Sequence, residues 1–212
     1  MVDRAVKAAW VQTLSGGAFW PLDPRPEDVD LQCIAASLSN NGRYNGHCRT
    51  FYSVAQHAVH VSLLCETEAK ADGQDRERQL LTAFCGLHHD DPEACGLPDV
   101  LSPIKDEFTI GDLTFREAED KILRAIGQAL GFPVPFPDGI GGVVHHFDRV
   151  AAATEKRDLM APEPMPWRDL PLPSDERIVP LPPNEAEKLY LHRHLKLAAQ
   201  LGQLRREKEA AS

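Results

Sequence analysis

The sequence predicts an all-α protein, a helical bundle fronted by one short N-terminal β-hairpin. Three observations carry that class. Six segments place apolar residues at helical spacing, several of them end in recognisable caps or breakers, and strand-like alternation is nearly absent outside residues 11–22.

Residues 11–22, VQTLSGGAFWPL, read as two extended pieces around Ser15-Gly16-Gly17, a composition suited to a hairpin. Pro26 fits a first helical turn, and Glu27 and Asp28 complement its dipole. A helix is therefore expected over about 28–38, with Val29, Ile34, Ala35 and Leu38 on its apolar side. The stretch 39–50, SNNGRYNGHCRT, is dense in Asn and Gly and reads as a loop. It carries Arg43, His47 and Arg49, and loops with such polar cargo are commonly functional. Ser53 is placed to cap a helix reaching about Cys65, with Val54, Ala58, Val61 and Leu64 on one face. Helices over 75–88 and 113–131 follow, the second stopped by Gly131 before Pro133. A glycine-rich turn at 138–142 introduces a helix over about 142–159. Residues 162–183 hold 8 of the 17 prolines and read as an ordered or semi-rigid connector. The last segment, about 184–208, sets Leu189, Leu191, Leu195, Leu201 and Leu204 among many charges. It is expected to be a helix packed on the domain or on a second subunit, with Arg205, Arg206 and Lys208 on a solvated face.

A chain of 212 residues with 42% hydrophobic and 26% charged residues suits one globular domain with a full core. The net charge, 23 − 32 = −9, disfavours non-specific binding to a nucleic-acid polymer or an anionic membrane. An anionic substrate then needs a local cationic site or a metal ion. The five cysteines, Cys33, Cys48, Cys65, Cys85 and Cys95, form no CxxC pair, so neither a disulfide framework nor a zinc ribbon is indicated. They read as small buried hydrophobes. The opening MVDRAVKAAWVQTLSGG, with Asp3, Arg4 and Lys7, lacks the apolar stretch of a leader, and no segment approaches the roughly 18 apolar residues of a membrane span. The expectation is a cytoplasmic protein with reduced thiols.

One constellation carries chemistry: His57 on one helix, the pair His89-Asp90 at the end of another, and Asp148 on a third. Mixed imidazole and carboxylate ligands suit Zn, Mn, Fe or Co better than Ca. Neighbours on a regular helix point about 100° apart, so His89 and Asp90 reach one ion only where the backbone leaves the helix. Pro92 supplies such an end. His88 directly precedes the pair, so a one-residue shift in the ligand is the alternative. Glu93, three residues after Asp90, is placed to transfer protons without binding the metal.

Around these residues the chain resembles the HD-domain metal-dependent phosphohydrolases, most closely the bacterial and phage members that act on nucleotides. The resemblance covers about residues 10–160. WVQTLSGGAFWPLDPRPEDVDLQCIAASLSNNGRYNGHC resembles the amino-terminal portion of one branch, and RTFYSVAQHAVHVS its helix with the first metal His. LHHDDPEA resembles the His-Asp motif, and DRVAAATEKRDLM the segment with the last metal Asp. The stretch ACGLPDVLSPIK after Glu93 departs from the family's more usual Ala-Tyr-Leu-Gly-Asp-Ile-Pro version, which alters the loop that shapes the pocket. On this resemblance residues 1–160 form an HD-type domain; outside it, 161–183 read as a connector and 184–212 as a C-terminal helix that makes a homo-oligomer reasonable.

The resemblance implies one divalent cation, a transition metal such as Mn, Co, Zn or Fe, or else Mg, held by His57, His89, Asp90 and Asp148. Catalysis falls to Asp90, as ligand at the reacting centre, and to Glu93 as acid/base. Arg43, Arg49 and Lys105 are assigned to phosphate, Tyr44 to stacking on base or ribose, and Trp20 with Phe19 to the base pocket. His60 and His145 stand three residues from ligands, at a second metal, at the substrate or at the surface; His146, His192 and His194 are expected at the surface. The implied activity is hydrolysis of (deoxy)nucleotide phosphate esters, as a 5′-nucleotidase on dNMPs or a triphosphohydrolase on dNTPs such as dATP. The alternative is a catalytically idle module that binds metal and nucleotide as a sensor or scaffold. Hydrolysis of cyclic nucleotides or alarmones fits less well, because the extra metal His motifs of those relatives are not found.

Overall fold

The first chain segment folds back on itself: β1 (Val11–Gln12) pairs antiparallel with β2 (Ala18–Phe19), Val11 opposite Phe19. The computed structural model describes residues 9–100, 102–167 and 169–211, so Asp3, Arg4 and Lys7 lie outside the described residues. After the hairpin come α1 (Leu31–Asn40), α2 (Val54–Ala71) and α3 (Arg76–His88). A second hairpin, β3 (Thr109–Ile110) with β4 (Leu113–Thr114), leads into α4 (Phe115–Leu130). Then follow α5 (Ile140–Leu159) and α6 (Pro183–Ala210). The protein is mostly helical, as expected.

Boundaries moved where a cap outranked the apolar pattern. Pro26–Asp28 forms its own 3-10 turn and Val29 is extended, so α1 starts at Leu31, where Asp30 accepts the N–H groups of Gln32 and Cys33. Past Cys65 α2 runs on to Ala71, because nothing stops the helix before Gly73, whose φ of 66° is left-handed. The helix expected over 113–131 gives up its first two residues to β4, and Thr114 closes a capping box with Glu117. The second hairpin is absent from the sequence reading because two-residue strands are too short to alternate.

Two apolar cores set the architecture. The larger joins Ile34 and Leu38 of α1, Val54 of α2, Leu80 and Phe84 of α3, and Tyr190 and Leu197 of α6. The smaller, with Val61, Cys65, Cys85, Ile140, Val144 and Ala151, seats α5 on α2 and α3. Four of the five cysteines are buried and all five are free thiols. Phe19 is buried in the larger core, at the wall of a cavity of about 190 Å³ between the hairpin and α1.

Helix α6 packs on the domain, against α1, α2 and α3. Leu189 and Leu195 are exposed, and the buried stripe is Ala186, Tyr190, Arg193, His194, Leu197 and Leu201. His194 is therefore internal, whereas His192 and His146 are exposed as expected. Three of the six buried residues, Tyr190, Arg193 and His194, are polar or charged and hydrogen-bonded inside. The connector before α6 is pinned along its second half. Arg157 donates to the carbonyls of Ser174 and Glu176, and Asp158 accepts the Ile178 N–H at 3.0 Å. Gln56, on the first turn of α2, donates to the Val179 carbonyl and accepts the Leu181 N–H. Among the described residues no helix is long and apolar enough to cross a membrane.

Candidate metal centre

Four pieces of chain deliver the site. Ser53 caps α2 by accepting the Gln56 N–H, which sets His57 on the first turn and leaves it fully buried. His89 and Asp90 sit where α3 ends, before the 3-10 turn Asp91–Ala94 that contains Pro92. Gly86 lets α3 come close to α2, since a Cβ there would stand 3.0 Å from Cys65 Sγ. Asp148 and Glu155 lie two turns apart on one face of α5. The loop before α2 is closed by the Arg43 N–H on the Tyr52 carbonyl (2.9 Å) and the Val54 N–H on the Asn41 carbonyl (3.0 Å). Within it Tyr44 and Asn45 take left-handed φ values of 55° and 51°. That conformation costs a residue other than glycine on the order of 1 kcal/mol; here it accompanies inward-facing Arg43 and Tyr44 side chains.

The two histidines are oriented for the same task. His57 Nδ1 lies 2.6 Å from Glu155 Oε1, and His89 Nδ1 lies 2.8 Å from the Gly86 carbonyl. Each Nδ1 carries a proton to donate, so in the neutral ring Nε2 holds the lone pair. Both Nε2 atoms are buried without a hydrogen-bond partner. They converge on two carboxylates: His57 Nε2 is 3.5 Å from Asp90 Oδ2 and 3.2 Å from Asp148 Oδ1, and His89 Nε2 is 3.4 and 3.9 Å from the same atoms. Ligands about 2.1 Å from one tetrahedral ion stand roughly 3.4 Å apart, so these separations fit a single cation. His57, His89 and Asp90 form a group able to hold a metal ion, and Asp148 Oδ1 lies beside both imidazoles.

Charge balance agrees. Asp90, Asp148 and Glu155 surround Arg43, whose guanidinium lies 3.5, 4.0 and 3.5 Å from them, leaving −3 + 1 = −2. A divalent cation neutralises that, and so do two protons. Burial pulls the His89 pKa down, but Asp90 and Asp148 outweigh it and lift it to about 9. For Glu155 burial pushes up, yet His57 and Arg43 bring it down to about 2. Burial pushes the Asp148 carboxyl up, but the His57 and His89 imidazoles facing it outweigh that and hold it well below its usual range.

Sequence reading missed Glu155. It is fully buried, accepts from His57 and, at 2.6 Å, from the Tyr44 hydroxyl, and fixes the ring that faces the metal position. Its seven-residue offset from Asp148 was the available signal. Carboxylate partners of this kind typically hold 10–100-fold of metal affinity. Glu155→Gln is accordingly expected to weaken divalent-ion binding by about that factor, read by titration calorimetry; unchanged affinity would remove Glu155 from the site.

Glu93 lies on the turn after Asp90, 8% exposed, with Oε2 buried and unpartnered. Burial, then the charges of Asp90 and Asp99, keep its carboxyl protonated far above the usual range. Asp99, a second residue missed in the sequence, is also buried with an unpartnered Oδ2. Lys105 is half-buried and its ammonium is bound by Glu119 at 2.8 Å. Trp20 is half-buried at the end of the first hairpin. Arg49 is exposed; its main-chain N–H donates to the Leu159 carbonyl, and among the described residues no contact joins its guanidinium to the cluster. His60 is half-buried with Nδ1 unpartnered, and His145 is exposed. His88 is bonded to Asp91 and His194, away from the cluster, so the inward imidazole is His89.

Comparison with known proteins adds relatives. The chain is 31% identical to the uncharacterized protein YfdR of Escherichia coli (strain K12) over 188 residues, 87% of this chain and 93% of that one. The chain belongs to the YfdR family. A second relative, an uncharacterized protein of Rhodobacter capsulatus, is 33% identical over 156 residues, 73% of this chain and 74% of its own length. No family model matches the chain. The likeness to YfdR spans more residues than the 160 that precede the connector, so the shared unit extends beyond the block bearing the His and Asp cluster.

Proposed function

We propose that the protein is a metal-dependent phosphohydrolase of the HD-domain kind, which hydrolyses nucleotide phosphate esters with deoxynucleotides as substrates. The observation that carries this reading is the convergence of two buried, unpartnered Nε2 atoms on Asp90 and Asp148, beside the buried Glu93 carboxyl. His57, His89, Asp90 and Asp148 would hold the ion, with Mn, Co, Zn or Fe favoured over Mg by the mixed ligands. When bound, such an ion supplies Lewis-acid polarisation of phosphate and activation of water.

The remaining steps belong to side chains of this chain. Arg43 offers a planar fork to phosphate oxygens, and Lys105 adds a second positive charge on the Glu93 side. Water oxygen forms a bond to phosphorus while the bond from phosphorus to the sugar 5′ oxygen breaks. Glu93 gives its proton to the departing 5′ oxygen and recovers one from the attacking water. A monophosphate and a triphosphate attacked at the α-phosphorus break that same bond, so one set of groups serves both. Tyr44 meets Trp167 of the connector edge to face, ring centroids 5.8 Å apart, and this aromatic pair is the proposed contact for base or ribose.

The test is product analysis of Mn-, Co- and Mg-loaded protein on matched dNMP and dNTP panels. Free phosphate from a monophosphate, or tripolyphosphate from a triphosphate, supports the reading and chooses between its two forms. Nucleotide binding without turnover by any metal form overturns hydrolysis in favour of an idle module.

A further inference from the structure

A second buried polar network stands back to back with the metal centre. Asp91, fully buried, sits between the ligand Asp90 and the Pro92-Glu93 turn. One of its carboxylate oxygens is 2.6 Å from His88 Nδ1, and the other accepts the Tyr190 hydroxyl at 2.5 Å. His88 Nε2 lies 2.9 Å from His194 Nδ1. The bonds order the protons: His88 donates from Nδ1 to Asp91, so its Nε2 accepts from the Nδ1–H of His194. Phe84 and Phe132 pack around the His88 ring, with centroids 4.7 and 5.0 Å away. The residues on either side of His89-Asp90 are thereby tied to α6, from about a hundred positions further along the chain.

We infer that Tyr190 and His194 are positioning residues, through which the C-terminal helix sets the geometry of the His89-Asp90 pair and the Glu93 turn. The physical ground is that α3 has already ended at His88, so helical hydrogen bonds no longer hold the backbone of 89–94. What holds it instead includes the Asp91 carboxylate, and both oxygens of that group are engaged by this network. Loss of the Tyr190 hydroxyl or the His194 donor frees one anchor of a turn that carries two proposed ligands and the acid/base. The inference rests on the metal reading above.

The test uses full-length protein loaded with Co(II), whose visible absorption reports ligand geometry. Tyr190→Phe and His194→Leu should each weaken Co(II) affinity by about 10–100-fold and change the absorption band. His194→Gln, which keeps a donor toward His88, should restore part of both. Leu201→Ala, a packing change further along α6, serves as the stability control: it should lower the melting temperature and leave the band as in wild type. If Tyr190→Phe and His194→Leu bind Co(II) with wild-type affinity and spectrum, α6 acts by packing alone and the inference is overturned. If wild-type protein binds no Co(II), or binds it equally after His57→Ala, the metal reading itself fails, an outcome distinct from variants matching a wild type that binds.

Discussion

Asp90→Asn is expected to abolish divalent-metal binding and nucleotide hydrolysis together. Asp90 Oδ2 is 3.5 Å from His57 Nε2, 3.4 Å from His89 Nε2 and 3.5 Å from the Arg43 guanidinium, so one atom serves both imidazoles and the cation beside them. An amide oxygen fits the space but is neutral, and the cluster drops from −2 to −1, too little to balance a divalent ion. The loss in affinity should exceed about 100-fold, beyond the range for groups that only orient a ligand. Metal content after dialysis is the measurement, and full retention would reject Asp90 as a ligand.

The same cluster predicts the pH dependence of wild type. The His89 pKa is raised to about 9, so without metal its proton stabilises the fold fully below the ordinary histidine range, and that contribution is lost as pH rises towards 9. Metal needs the deprotonated Nε2, so its affinity should rise over the same interval. In Asp90→Asn the imidazole loses a neighbouring charge that holds its proton, and the alkaline loss of stability in the metal-free protein should shrink. Melting curves from pH 6 to 9, with and without metal, check both statements.

Glu93→Gln is expected to lower kcat by about 10²–10⁴-fold, the usual weight of a positioned proton-transfer group, with metal content and KM little changed. The amide keeps the shape and a donor but has no proton to deliver to the departing oxygen. Because burial and two neighbouring carboxylates raise the Glu93 pKa, its ionised form is disfavoured in the fold. Ionisation on raising the pH costs stability, so the neutral variant should melt no lower than wild type at neutral pH. In wild type the donor role should disappear as pH climbs through that raised pKa, giving a falling alkaline limb that Glu93→Gln lacks. Full turnover by the variant would end the assignment.

Local signals carried much of the fold. Asp30, Ser53 and Asp75 cap helices, and Gly131 ends one with a left-handed φ of 84°, because capping involves neighbours within a few residues. The second hairpin and the true face of α6 were not legible. Two-residue strands have no period, and the buried Tyr190, Arg193 and His194 look like surface residues until partners arrive from α2 and α3. Arg193, for instance, is buried because its guanidinium bonds Ser62 and pairs with Glu66 at 2.8 Å.

By itself the sequence determined the helical class, the Ser53 and Gly131 caps, and the grouping of His57, His89, Asp90 and Asp148, because residue type, short-range spacing and motif order are written along the chain. Only the tertiary structure decided that Glu155 orients His57, that Arg43 sits among three carboxylates and that Arg49 stands apart. It also decided that His88 turns away to Asp91 and α6. These outcomes depend on distances between atoms as much as 112 positions apart, as between Arg43 and Glu155. Burial and charge at such contacts arise from packing, which no local pattern encodes.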